Sequence, residues 1–103
     1  MVAILTRYLG PTNYRGSRYK ATAGDEPGRP SLTVSCDSAL GSEANHASAA
    51  YAFALKMGWR GRWVGGGTYR GMAFVWVGDD YAPTSFEPDA FPAYFTIGPE
   101  HRN

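Results

Sequence analysis

Hydrophobic and polar positions along this 103-residue chain show a two-residue period at the start, a helical pattern in the middle and no period at the end. Residues 2–9 (VAILTRYL) are rich in β-branched and aromatic side chains and predict a first strand. The turn-rich stretch GPTNYRG leads into SRYKATA, where Tyr19, Ala21 and Ala23 alternate with Arg18, Lys20 and Thr22. Such alternation marks a strand with one face buried and one face wet. Residues 24–30 (GDEPGRP) hold two glycines and two prolines and predict a loop. SLTVSC alternates again, which places Leu32, Val34 and Cys36 on the apolar side of a third strand.

The period then lengthens. Ser42 has the chemistry of an N-cap, Glu43 complements the helix dipole, and Gly58 is a stop after Met57. Between them EANHASAAYAFALKM contains six alanines, the best helix formers. Asn45, Ser48, Ala52 and Lys56 form the expected solvent stripe, and the remaining positions face a sheet. RGRWV and MAFVWV predict two further strands, joined by GGGTYRG read as a hairpin loop. From residue 78 the pattern dissolves into a proline- and aromatic-rich segment, expected to drape across the domain. Phe86, Phe91 and Phe95 are its expected anchors, and AYFTI a short edge strand.

These elements predict an α+β domain: an antiparallel sheet of four to five strands in the order β-β-β-α-β-β, one helix packed on one face, and an extended C-terminal tail. Residues 1–78 form the expected core domain and 79–103 a Pro/aromatic-rich acidic tail packed on it. A length of 103 residues suits one domain with one modest core. No apolar run approaches the roughly 20 residues needed to cross a bilayer, and the N-terminal residues lack the basic leader of a signal peptide. The expectation is a cytoplasmic protein with no membrane partner.

Charge changes the picture through its distribution. Residues 1–75 carry nine Lys/Arg against four Asp/Glu, a surplus of +5, whereas residues 76–103 carry one against five, or −4. A basic body thus precedes an acidic segment, and the simplest explanation is that the tail folds back and neutralises the body.

Little of the inventory supports catalysis. Cys36, Asp37 and His46 are the only conceivable nucleophile, orienter and base, and Cys36 lies on the apolar phase of its strand, where a buried, inert thiol is expected. A metal site needs three or four converging ligands. Asp79, Asp80 and His101 are the nearest set, and an Asp-Asp pair at a strand end reads as a solvated turn. GGGTYRG lacks the Lys-Ser/Thr pair of a phosphate loop and precedes a strand where a helix belongs. The expectation is a non-enzymatic protein with no cofactor and no metal.

Binding chemistry is better represented. Arg18 and Lys20 leave their strand opposite Tyr19, while Tyr14 and Arg15 sit in the preceding turn. Tyr69 and Arg70 occupy the tip of the second hairpin, with Arg60 and Arg62 on its strands. Cations with exposed aromatics on a β-face are the means by which sheets hold nucleic acid. Polar outer faces and edge-protecting cations are the ordinary alternative. The candidate binding set is Tyr14, Arg15, Arg18, Lys20, Tyr69 and Arg70.

The run LTRYLGPTNYRGSRYKATA, with MGW after an alanine-rich helix and WVGGGTYRGMAFVWV beyond it, resembles a group of small proteins of bacterial phages, plasmids and genomic islands. Their starts look like K-Y-L-x-P-T-N-x-R-G-S-R-x-K-A, and a Gly-Gly-Gly hairpin lies near their ends. The resemblance covers roughly residues 4–77 and carries over no functional residue. It implies a mobile genetic element, a setting in which compact single domains act by binding. The expected partner is a protein complex of the host, such as a CRISPR effector that the protein would inhibit, or alternatively a nucleic acid contacted at its phosphates by the same hairpins.

Overall fold

The computed structural model describes residues 3–24, 28–78 and 81–99. Among these the chain forms β1 (Ile4–Leu9), β2 (Arg18–Ala23), β3 (Ser31–Ser35), α1 (Ser42–Met57), β4 (Gly61–Gly67), β5 (Gly71–Trp76), β6 (Ser85–Phe86) and β7 (Tyr94–Ile97). The fold is α+β, with the helix on one face of a curled antiparallel sheet in the order β3-β2-β1-β5-β4-β7-β6. Seven strands replace the expected four to five because the C-terminal segment supplies two.

Register decides which residues share a face. Ile4 pairs with Ala23, Thr6 with Ala21 and Tyr8 with Tyr19, and these positions point toward α1. On α1 the small side chains Ala47, Ala49, Ala50 and Ala54 let the helix settle close to the sheet, around Phe53, Phe74, Trp63, Phe95 and Ile97, all five fully buried. Trp63 lies between Trp59 and Phe95, with ring centroids 5.8 and 6.4 Å away.

Gly58 stops the helix in the left-handed conformation (φ 71°), its N–H and that of Trp59 returning to Leu55 and Ala54. At the other end Ser42 is the first helical residue and Gly41 the N-cap, with no side-chain cap bond. Asn45, one turn in, ties the preceding loop to the helix instead. Its Oδ1 accepts from the Asp37 N–H at 2.9 Å, and its Nδ2 donates to the Asp37, Leu40 and Gly41 carbonyls, each at 3.1 Å. Asn45 is therefore buried, not on a solvent stripe.

Gly65, Gly66 and Gly67 belong to β4 itself. A Cβ on Gly65 would strike the Phe74 ring, so the missing side chain admits a core aromatic from the neighbouring strand. Gly71 is bare for a backbone reason: a Cβ there would meet the Thr6 carbonyl on β1. The hairpin tip shrinks to Tyr69 and Arg70, closed by paired Thr68 and Gly71.

At the C-terminal end β7 sits between β4 and β6 and is not an edge strand. Phe95 anchors it at full burial and Phe86 stacks on Tyr51 at 5.3 Å, but Phe91 stands 85% exposed. β3 ends at Ser35, so Cys36 falls past the strand and is exposed, not buried. Asp79, Asp80 and His101 lie outside the described residues.

Candidate anion-binding face

Strand alternation sends Arg7, Arg18 and Lys20 to the face turned away from α1. Arg7 on β1 and Lys20 on β2 are direct cross-strand partners, which places their Cβ atoms about 5 Å apart. The β4–β5 hairpin brings Tyr69 and Arg70 over the same region, because Gly71 pairs with Arg7 and Met72 with Thr6. The result is a groove of about 310 Å³ with Arg7, Lys20 and Arg70 in its walls, Leu5 and Met72 as apolar lining, and Tyr69 on its rim. No carboxylate lines it among the described residues. Tyr69 is fully exposed.

Like charges placed directly opposite on neighbouring strands repel and cost stability. A bound anion would relieve that repulsion.

The structure divides the six predicted binding residues. Lys20, Tyr69 and Arg70 meet in the groove. Arg15 and Arg18 border a second cavity of about 550 Å³, together with Thr33, Ser35 and Cys36. Tyr14, 95% exposed, caps the loop between β1 and β2. That loop is built around Thr12, whose Oγ1 accepts from the Tyr14 and Arg15 N–H groups at 3.2 and 3.0 Å. Arg62 does not join either cluster; its guanidinium lies 5.2 Å from the centre of the Tyr94 ring, on the far half of the sheet.

Sequence reasoning missed Arg7. Its side chain became informative only once the β1–β2 register set it opposite Lys20, and the signal available beforehand was its place on the same phase as Leu5 and Leu9.

Beneath the groove, His46 ties the helix to β1. Its Nδ1 and the Thr6 Oγ1 are 2.8 Å apart, the Thr6 hydroxyl also lies 3.4 Å from the Met72 carbonyl, and the Tyr19 ring meets the imidazole edge-on at 4.8 Å. Burial pushes the His46 pKa below its ordinary 6.5, opposed by the charge of Glu43. The imidazole bridges α1 and β1, whereas the Cys36 thiol is exposed past the end of β3.

No protein-family profile, curated protein or solved structure matches the chain.

Proposed function

We propose that this chain is a non-enzymatic binding protein whose ligand is a single-stranded nucleic acid, held in the groove of Arg7, Lys20 and Arg70 with a base stacked on Tyr69. One observation carries the reading: two cations in direct cross-strand register, a third on the overhanging hairpin and, among the described residues, no carboxylate in the groove they line. Guanidinium and ammonium groups neutralise phosphates, and an unencumbered aromatic ring stacks bases without regard to sequence. Leu5 and Met72 supply apolar lining for the sugar or base edge. No helix among the described residues is long and apolar enough to cross a membrane. A target in the cytoplasm fits this reading.

Fluorescence anisotropy with labelled oligonucleotides tests it. Three phosphate contacts predict a slope of log K against log salt of about −2 for single strands. The Lys20→Ala and Arg7→Ala variants each flatten that slope by about 0.7. Absence of binding at low salt, or affinity indifferent to salt, ends the proposal.

A second reading keeps the same cations and changes the partner to an acidic protein surface, such as a host defence complex inhibited on behalf of a mobile genetic element. What favours it is the far end of β5, where Val75, Trp76 and Val77 are exposed in succession and offer apolar anchors. Trp76→Ala separates the two. It leaves oligonucleotide binding intact and abolishes association with a protein partner.

A further inference from the structure

The groove is not the only concave cationic surface. A second cavity, of about 550 Å³, opens where the end of the β1–β2 loop meets the end of β3. Its chemistry differs from the groove's: two guanidinium groups, the Thr33 and Ser35 hydroxyls and the Cys36 thiol, with Val34 alone contributing an aliphatic side chain. Such a lining reads phosphate and sugar and, among the described residues, holds no aromatic ring. The walls are fixed independently of any ligand. The Cys36 N–H donates to the Ser17 carbonyl at 2.9 Å, and the Ser17 hydroxyl is hydrogen-bonded to that of Tyr8 at 2.8 Å. Arg18 donates through Nε to the Gly16 carbonyl at 3.3 Å, which steadies the guanidinium and leaves its terminal nitrogens to an incoming oxyanion. Asp37, the carboxylate next along the chain, is turned away, its Oδ1 accepting from the Ala39 N–H at 2.9 Å.

Position links the cavity to the groove. Arg18 and Lys20 project from the same face of β2 two residues apart, a separation of about 6.6 Å along the strand. We infer that the cavity is a second phosphate subsite for the same ligand, so that the backbone of a single strand runs from Tyr69 and Arg70 over Arg7 and Lys20 and on to Arg18 and Arg15. The inference rests on the nucleic-acid reading of the groove and adds a direction and a minimum length. A short oligonucleotide fills the groove; a longer one is gripped twice.

Cys36 makes the two sites separately observable, because it is the chain's single cysteine and it lines the second cavity and not the groove. The experiment compares 5′-phosphorylated thymidine oligonucleotides of three and six residues, carrying three and six phosphates, by anisotropy competition at low salt, with the rate of Cys36 alkylation by neutral iodoacetamide measured in the presence of each. The hexamer is expected to bind about tenfold more tightly than the trimer, the scale of one charge-assisted contact. It should also slow alkylation several-fold while the trimer does not. In the Arg15→Ala/Arg18→Ala double variant the length-dependent gain disappears. Equal affinities for the two lengths, with alkylation undisturbed by the hexamer, overturn the second subsite and leave the groove standing. A trimer and a hexamer that both fail to bind overturn the groove reading and this inference with it.

Discussion

Lys20 sets the stability of the fold against binding. Its ammonium faces the Arg7 guanidinium across the β1–β2 ladder, an arrangement that costs the isolated fold some stability. Replacing it by glutamate converts repulsion into a cross-strand ion pair. The Lys20→Glu variant is therefore expected to gain about 0.2–1 kcal/mol of stability, a rise of a few degrees in Tm, while losing oligonucleotide binding. A surface residue of purely structural value would show the reverse, with stability falling and binding unaffected, so thermal melts and anisotropy on one variant are decisive. His46 makes a prediction of another kind. Its folded-state pKa lies below the unfolded value, so the unfolded chain takes up a proton first as pH falls. The stability that comes from keeping the imidazole neutral is complete above about 6.5 and is lost as pH drops through the folded pKa. Urea titrations at pH 7.5 and 5.5 should show lower stability at the acid end, and His46→Gln should remove most of that difference.

Elements are placed by two glycines that look alike in sequence and differ in space. A Cβ at Gly71 would run into the Thr6 carbonyl, so Gly71→Ala pushes β5 off β1 just where Arg7 and the hairpin tip meet. The expected cost is about 1–3 kcal/mol, with binding weakened because the groove walls separate. Gly66 has open space around its would-be Cβ, and Gly66→Ala should change stability by less than about 0.5 kcal/mol. The same contrast explains what was legible beforehand. Alternation in SRYKATA and SLTVSC reported real faces, because those strands have one side on the helix and one in water. The glycine triplet read as a loop because glycine ordinarily breaks strands, and only the position of the Phe74 ring shows why β4 needs it. Tyr94–Ile97 looked like an edge because four residues amid prolines carry too little periodicity to announce a paired strand. Cys36 kept the phase of β3 but fell one residue past its end. Three of the four groove residues that matter most, Lys20, Tyr69 and Arg70, were visible as exposed hairpin positions. Arg7 was not, since register across a hairpin is a tertiary fact.

At the scale of the molecule, the strand order governs both charge and integrity. The described acidic residues of the C-terminal segment, Glu87 and Asp89, follow β6, which lies four strands from β1. Four interstrand steps amount to roughly 19 Å along the sheet, beyond the Debye length of about 8–10 Å. Neither Glu87 nor Asp89 lines the cationic groove. The same order makes the C-terminal segment indispensable to folding. β7 is hydrogen-bonded to β4 along Gly61–Val64 and delivers Phe95 and Ile97 into the core at full burial. Removing residues 79–103 withdraws both side chains and uncovers Trp63, each worth about 1.5–3 kcal/mol when buried. That total, about 5 kcal/mol or more, rivals the whole stability of an ordinary domain of this size. A chain ending at Gly78 should thus show no cooperative melt by circular dichroism and no dispersed amide spectrum. A truncated chain that melts cooperatively within a few degrees of the full-length protein would mean that β4 tolerates an open edge and that the first five strands with their helix fold alone.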